Sequence, residues 1–309
     1  MQLSNRKDVY GKNKVLGYSA GIIAGITYGL NPLFAKPLLE KGVYVDTMLS
    51  IRYLLAVALL GIWLLARKQS LRINRQQLVR LGILGILFAL SSMLLFLSYN
   101  YIPAGLATTI VFLYPVIVAL IMVFLKVYPS WQVWIAIFMT FIGVVILSRP
   151  DESTSVNING LMLAVASALA YALYLIIVNR SRRLRTISSQ VITFYALLIG
   201  SILFLLHSFT SGADFMRNVS GWDTWTNLIG LAIFPTIIAL LTLSIATREA
   251  GPTITSVLGV SEPVTAITVG TLVFGESLTL NIIVGVAITI IAVTFMVVSD
   301  SQKSGKQRS

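Results

Sequence analysis

A single carboxylate stands near the middle of an apolar stretch that is long enough to cross a lipid bilayer. The stretch runs from Gly251 to Glu276, and in it Glu262 is followed directly by Pro263. A charged group in hydrocarbon is costly, so an ionisable residue there marks a candidate functional site. The proline removes one helical hydrogen bond and frees the carbonyl of Gly259, four residues earlier. This carboxylate could bind the amine of a substrate, or it could take up and release a proton.

A structural role is the alternative for Glu262, either hydrogen-bonded to a neighbouring helix or paired with Arg52. Helical spacing places Thr255, Gly259, Glu262 and Ala266 on one narrow face, and small residues around one carboxylate are typical of a cavity lining. Arg52 lies about five residues inside its apolar stretch, roughly 7.5 Å from the end, within reach of the membrane interface. We favour an interfacial or ion-pair role for Arg52 over binding of a substrate carboxylate, which its planar guanidinium would also suit.

Other polar and aromatic side chains in apolar stretches are candidates for the same cavity. Tyrosine combines an apolar ring with a polar tip, which suits an amphipathic solute, although packing or an interhelical hydrogen bond is the alternative for each. The candidates are Tyr28, Asn31, Ser91, Ser92, Tyr99, Tyr114, Tyr171 and Tyr174. Prolines in four stretches should also expose backbone carbonyls, which could act as ligands, although membrane helices also tolerate prolines without such a role. The carbonyls are those of Tyr28, Val111, Leu231 and Gly259.

The composition indicates which elements position these residues. Hydrophobic residues make up 57% and charged residues 11% of the 309-residue chain, whereas soluble domains contain about 25% charged residues. Since a bilayer core requires about 20 apolar residues per helix, the sequence predicts an all-α, polytopic membrane protein. The ten predicted spans are Val15–Ala35, Thr47–Leu65, Val79–Asn100, Ala104–Leu125, Trp131–Leu147, Gly160–Val178, Ser188–Leu206, Thr224–Ala246, Pro252–Val273 and Leu280–Val298.

Several classes of protein are excluded or disfavoured. The net charge of +12 is concentrated in short segments between spans, which argues against nucleic-acid binding. Cysteine is absent and His207 is the single histidine, so we expect no metal site and no cofactor. No nucleotide-binding loop appears, and no obligatory protein partner is evident. An integral-membrane enzyme or a receptor built on the same helices remains an alternative, although no catalytic cluster or signalling domain is evident.

The placement of lysine and arginine predicts the orientation in the membrane. If the N-terminus is cytoplasmic, most of the 23 basic residues fall in cytoplasmic segments, including the short basic C-terminal tail. The outer loops then hold Lys36, Lys41, Arg149 and Arg217. We therefore expect both termini to face the cytoplasm.

Small residues and prolines reveal an internal repeat. Pro115 aligns with Pro263, Tyr28 with Tyr171, and Gly143 with Gly285. The chain therefore divides into residues 1–150 and 151–309, each with five spans. Because five is odd, the second half should cross the membrane in the opposite direction, as in alternating-access transporters. The repeated stripe of small residues comprises Gly17, Gly21, Gly25 and Gly29 in the first span and Gly160, Ala164, Ala168 and Ala172 in the sixth.

The segment VLGVSEPVTAITVGTLVFGESLTLNIIVGVAITIIAVTFMVV resembles the end of the EamA domain of the drug/metabolite transporter superfamily. The resemblance lies in Glu262-Pro263, in Phe274-Gly275-Glu276, and in Gly285 of the tenth span; the span containing Arg52 also looks like its counterpart in that family. It implies a ten-helix, inverted-repeat carrier with a central cavity, which exports amino acids or other small metabolites across a bacterial inner membrane.

The two halves differ where the resemblance is strongest. The first half matches through Leu113-Tyr114-Pro115-Val116 and so has Tyr114 at the position of Glu262. The sequence as a whole predicts a secondary transporter with a small-molecule substrate, and proton coupling through Glu262 is a further hypothesis. The predicted site comprises Glu262, Tyr114, Tyr28, Tyr171, Asn31, Arg52 and Gly259.

Overall fold

The structure, a computed structural model, describes residues 14–126, 131–147, 157–181, 183–184, 186–210, 215–249, 255 and 258–306, and all regular structure within them is helical. Three shorter apolar helices lie where the fifth, ninth and tenth spans are predicted: Trp134–Gly143, Ser261–Phe274 and Leu280–Ala292. Within the same residues, seven helical segments are long and apolar enough to cross a membrane: Val15–Glu40, Val45–Ala66, Arg75–Ser98, Ala104–Phe124, Ile158–Val178, Ser189–Thr210 and Trp222–Ala246.

The helices follow the predicted spans closely at most ends. The last helix runs beyond the predicted end at Val298. The predicted boundary between the repeats at Asp151 and the predicted start of the ninth span at Pro252 lie outside the described residues.

The elements are α1 (Lys14–Gly29), α2 (Asn31–Glu40), α3 (Val45–Ala66), α4 (Arg75–Ser98), α5 (Ala104–Val111), α6 (Tyr114–Phe124), α7 (Trp131–Leu147), α8 (Ile158–Arg180), α9 (Ser189–Thr210), α10 (Trp222–Ala232), a π-helical turn (Ile233–Ile238), α11 (Ala239–Glu249), α12 (Ser261–Phe274) and α13 (Leu280–Lys306).

Four predicted spans are interrupted next to a proline. The proline ring lacks an N–H group and clashes with the preceding helical turn, so the helix restarts with proline in its first turn or widens into a π-helical turn. The interruptions fall at Leu30 before Pro32, at Phe112 and Leu113 before Pro115, in the π-helical turn around Pro235, and at Gly259 and Val260 before Pro263.

The described ion pairs all lie on one side of the helical array, which we call the Lys36 side. On this side the ends of α2 and α12 meet where Lys36 Nζ lies 2.8 Å from Glu276 Oε1, and Ala104 N at the start of α5 donates to the same oxygen. Contacts between other helix ends on this side join Lys41 to Asp223 and His207 to Asp46. Each of these ion pairs joins a residue before position 150 to a residue after it.

The opposite side, where α1 begins, is called the Lys14 side. Here hydrogen bonds link the segment after α3 to the start of α9. Ser188 Oγ donates to Gln69 Oε1, and the Tyr195 hydroxyl donates to the carbonyl oxygen of Leu71. Arg80 of α4 donates to Ser181 at the end of α8. The described contacts between helix ends here are therefore hydrogen bonds without a carboxylate, whereas ion pairs connect the ends on the Lys36 side.

The helices before position 150 pack against helices that follow it. α1 packs against α11 and α12, and α8 packs against α4, α5 and α6; α3 packs against α9, and α7 against α13. Gly160, near the start of α8, lies against Tyr101 and Ile102, which precede α5 on the Lys36 side. α8 therefore begins on the side at which α2 ends.

Small residues permit the closest of these contacts. A methyl group on Gly29 would lie 2.5 Å from the carbonyl oxygen of Glu262, and one on Gly25 would lie 3.2 Å from the Glu262 amide nitrogen. Gly143 of α7 similarly faces the carbonyl oxygen of Gly285 in α13, which a methyl group would approach to 3.0 Å. The stripe on α1 therefore brings its backbone against the start of α12, where the carboxylate lies.

Candidate functional site

A central cavity of about 370 Å³ lies between helices from both parts of the chain. Of its described lining residues, Arg52 and Glu262 are the charged ones. All seven residues of the predicted site contribute to the lining: Tyr28, Asn31, Arg52, Tyr114, Tyr171, Gly259 and Glu262. The structure therefore brings the whole predicted set together, although their roles remain predictions.

Glu262 lies in the first turn of α12, immediately after the interruption at Gly259 and Val260. Its backbone N–H donates to the carbonyl oxygen of Gly259 at 3.0 Å, which closes a turn before the helix continues. The N–H groups of a first helical turn lack intrahelical acceptors and favour a nearby negative charge. The interruption therefore places a carboxylate at the beginning of a helix, half-buried in the cavity wall.

Arg52 is held by the π-helical turn of the neighbouring span. Its Nε donates to Thr236 Oγ1 at 2.8 Å, and one terminal nitrogen donates to the carbonyl oxygen of Pro235 at 3.4 Å. The guanidinium carbon lies 5.4 Å from the centre of the Phe96 ring, a cation–π distance. These contacts fix the guanidinium at the cavity and leave some of its five N–H donors for a ligand.

The favoured interpretation of Arg52 as an interfacial or ion-paired residue is wrong. Its side chain is 6% exposed and lines the cavity, so it does not extend to the membrane interface. No ion pair within 4.0 Å joins it to Glu262, although both residues belong to the described part of the chain. The hydroxyl and carbonyl partners from the π-helical turn allow the guanidinium to be buried without a carboxylate.

Aromatic rings form one wall of the cavity. The rings of Tyr114 and Tyr171 meet edge to face with centroids 4.9 Å apart, and Tyr174 stacks behind Tyr171 at 6.0 Å. Tyr114 opens α6 after the interruption at Phe112 and Leu113, at the position that the repeat aligns with Glu262. Two positions that the sequence predicts to be equivalent, Tyr114 and Glu262, therefore present a phenol and a carboxylate to one cavity.

Asn31 opens α2 at the interruption next to Pro32. Its Nδ2 donates to the carbonyl oxygen of Tyr28 at 2.9 Å. Its Oδ1 is buried, and no residue in the described ranges donates to it. This oxygen is an acceptor at the cavity wall that a bound molecule could use after a small side-chain movement.

The other polar candidates divide into lining and supporting residues. Ser91 and Ser92 line the cavity, and Ser91 exchanges two hydrogen bonds with Ser167 of α8. Tyr99 lies outside the lining and contacts Thr108 through its hydroxyl. Tyr174 also lies outside the lining and supports Tyr171 from behind.

At three of the four positions where proline was predicted to free a backbone carbonyl, that carbonyl already accepts a hydrogen bond. The Tyr28 carbonyl accepts from Asn31, and the Gly259 carbonyl accepts from the Glu262 amide. The carbonyl of Leu231 accepts from Thr236 Oγ1 at 2.9 Å. A polar group shortly after each interruption replaces the hydrogen bond that proline removes.

Sequence reasoning missed the apolar part of the lining. Phe88, Leu95 and Phe96 of α4 and Phe112 between α5 and α6 lie in the cavity wall, as does Leu243 of α11. An apolar residue in an apolar helix carries no sequence signal for a cavity. The phenylalanines give the cavity a hydrophobic surface that the charged residues alone would not indicate.

The geometry suits a small molecule with both charged and apolar parts. A volume near 370 Å³ lies at the lower end of the range for ligand pockets. Histidine and acidic side chains form no group of three or more that could hold a metal ion within the residues placed by the structure. The chemistry available in the cavity is therefore ion pairing, hydrogen bonding and contact with aromatic rings.

Comparisons with known proteins give the family. The model of the EamA-like transporter family matches residues 15–149 and again residues 158–298. An uncharacterized transporter of Archaeoglobus fulgidus is 28% identical over 255 residues, which cover 80% of this chain and 87% of that protein. An uncharacterized transporter of Synechocystis is 36% identical over 130 residues, 40% of this chain and 38% of the relative.

The fold is also shared with a solved structure. A protein known from its crystal structure superimposes with a TM-score of 0.65 at 18% identity, covering 94% of this chain and 99% of its own. Such low identity establishes similarity of fold alone. Because the family model matches nearly the whole length, the chain belongs to the EamA-like transporter family, and it is a multi-span membrane transporter and not an enzyme.

Proposed function

We propose that the protein is a secondary exporter of amino acids or closely related small metabolites, working by alternating access. The observation that carries this proposal is the central cavity, in which Glu262 has no ion-pair partner among the described residues while Arg52 is anchored by neutral groups. One anionic and one cationic group, with aromatic rings between helices, suit a zwitterion that has an apolar side chain.

The proposed architecture consists of ten membrane-spanning helices in two inverted halves, residues 1–150 and 151–309. The packing supports it, since α1 contacts α11 and α12 as α8 contacts α4 and the α5–α6 pair. The position of Gly160 also supports it, because α8 starts on the Lys36 side whereas its counterpart α1 starts on the opposite side. Inverted repeats of this kind place the substrate site at their interface.

Each charged residue has a proposed role in binding. Glu262 accepts hydrogen bonds from the ammonium group of the solute, and Arg52 binds its carboxylate through donors that Thr236 and Pro235 leave free. The tyrosine wall of Tyr114 and Tyr171 contacts the apolar part. Binding both charges of one solute compensates for removing them from water.

Proton coupling is part of the same proposal. A carboxylate that is occupied by an amine in one half of the cycle must be neutralised or solvated in the other half. We infer that Glu262 binds a proton when the solute has left, so that solute and proton move in opposite directions. Tyr114 at the aligned position remains a neutral phenol, which leaves one exchangeable charge for each transport cycle.

The proposed location is the bacterial inner membrane with both termini in the cytoplasm. Arginines after α3 and near the end of α8 lie on the Lys14 side, which the excess of basic residues assigns to the cytoplasm. The ion pairs on the Lys36 side support the proposal that this side is closed in a state that loads solute from the cytoplasm. The outward direction of net transport follows the resemblance to EamA exporters.

The test uses purified protein in liposomes with radiolabelled amino acids, with and without a pH gradient. We expect solute flux that the gradient drives, and we expect Glu262→Gln to lose the response to the gradient. Glu40→Gln, on an exposed carboxylate, is the matched control and should behave as wild type. Flux that ignores the gradient in wild type would refute proton coupling, and absence of flux for every amino acid would refute the substrate class.

A further inference from the structure

A second cavity of about 330 Å³ lies beside the central one. It is enclosed by parts of three helices, α3, α9 and α11. Its described lining contains hydroxyl, amide and leucine side chains, and none of those residues is charged. The lining residues are Leu60, Ser189, Gln190, Thr193, Leu240, Leu241, Leu243 and Ser244.

The second cavity belongs to the Lys14 side. Ser189 and Gln190 form the first turn of α9, directly after Ser188, whose hydroxyl binds Gln69 beyond the end of α3. Leu60 lies two turns before the end of α3. The cavity therefore occupies the membrane half that the excess of basic residues assigns to the cytoplasm.

Leu243 is common to both cavities. It lines the central cavity, and it also lines the second cavity together with its neighbour Ser244. α3 contacts α10 and the π-helical turn, while the second cavity occupies the space between α3 and α11 farther toward the Lys14 side. Leu243 is therefore the residue that the described linings of the two cavities share.

Four of the residues that line the second cavity carry hydroxyl or amide groups. Gln190 Nε2 donates to Ser244 Oγ across the cavity, from α9 to α11. Ser189 and Thr193 add hydroxyl groups on the same helix. Polar side chains facing hydrocarbon are costly, so their concentration here favours contact with water.

We propose that the second cavity is the entrance vestibule of the transporter, with Leu243 as the partition that a solute must pass. The inference rests on the proposed function, since it assigns the route into the same central site. A vestibule without charged side chains selects for solutes with no net charge, which includes zwitterions. It holds them by hydrogen bonds to the hydroxyls and to Gln190 before Leu243 moves aside.

The experiment exploits the natural absence of cysteine, because each introduced thiol is the only one in the chain. Thr193→Cys reports on the vestibule and Leu95→Cys on the central cavity. Both are exposed in liposomes to a membrane-impermeant, zwitterionic methanethiosulfonate reagent with no net charge, added from either side. Each reporter is then combined with Leu243→Trp, which enlarges the partition, or with Ile229→Trp, a control at a half-exposed position of α10.

We expect Thr193→Cys to react from the Lys14 side, with or without Leu243→Trp. Leu95→Cys should react from the same side, and its labelling rate should fall about tenfold when it is combined with Leu243→Trp. The control Ile229→Trp should leave that rate unchanged. Equal rates in the two tryptophan backgrounds would overturn the partition. Reaction of Thr193→Cys with membrane-soluble maleimides alone would overturn the vestibule and identify an opening to lipid.

These outcomes do not depend on transport of any solute. If labelling follows the expected pattern and liposomes show no amino-acid flux, the route stands and the proposed substrate class fails. If flux is found and Leu243→Trp changes neither labelling nor flux, the proposed function stands and the vestibule fails.

Discussion

The contact between α1 and the start of α12 allows a quantitative test with one methyl group. Gly29→Ala would place a Cβ atom 2.5 Å from the carbonyl oxygen of Glu262 and 2.5 Å from Cβ of Thr265. Neither neighbour can rotate away, because one is backbone and the other is fixed to it. The two helices must therefore separate locally.

The separation is small, but its free-energy cost is not. Restoring a normal contact of roughly 3.5–4.0 Å requires a shift of about 1 Å. Overpacking of this kind costs about 1–3 kcal/mol in the free energy of unfolding. The shift also carries the first turn of α12, and with it the carboxylate of Glu262, away from its position in the cavity. We therefore expect lower stability and lower solute flux together.

The assay is unfolding of the purified protein by sodium dodecyl sulfate, followed by helical circular dichroism, with flux measured in liposomes. Gly82→Ala is the matched control, because a Cβ at Gly82 meets no atom within 4 Å. Since alanine favours helix over glycine by up to about 1 kcal/mol, the control should be neutral or stabilised. A Gly29→Ala protein as stable and as active as the control would refute the close-packing argument.

Three further substitutions test other contacts. Glu276→Gln should weaken the partly buried contact with Lys36 and lower the free energy of unfolding by about 1 kcal/mol. It should also make the Leu95→Cys reporter react with reagent added from the Lys36 side. If the reporter still reacts from the Lys14 side alone, this pair does not hold the Lys36 side closed. Arg52→Lys should raise the KM for solute with little loss of folded protein, because lysine lacks the planar guanidinium that Thr236 orients. An unaltered KM would exclude binding of a substrate carboxylate by Arg52. Thr289→Val should leave the free energy of unfolding in detergent unchanged or raise it by up to about 1 kcal/mol, because the buried Thr289 hydroxyl has no hydrogen-bond partner among the described residues. A large loss of stability would show that the hydroxyl does have a partner.

The sequence predicted residues that line the central cavity because polar side chains are conspicuous among apolar ones. Glu262 and Arg52 are unusual in spans, and the spacing of small residues in the sequence relates Tyr28 to Tyr171. The same logic failed for Phe88 and its apolar neighbours, since a helix that faces lipid and a helix that faces a cavity have similar apolar composition.

Prolines predicted where the helices would be interrupted, but not which groups would replace the hydrogen bonds that are lost there. The interruption at Leu30 is compensated by the amide of Asn31, and the one around Pro235 widens into a π-helical turn stabilised by Thr236. Compensation depends on which polar side chain reaches a given carbonyl. That choice is a matter of three-dimensional geometry, and it also explains why Arg52 is buried instead of interfacial.

The interruptions have a mechanical consequence for the lipid around the protein. A continuous helix transmits a tilt from one surface of the bilayer to the other, whereas an interrupted helix absorbs the tilt at the break. Segments such as α1 and α2, or α5 and α6, can therefore reorient separately in the two leaflets. Opening of one face should then depend on the acyl-chain length and packing of the leaflet on that face, and much less on the leaflet opposite.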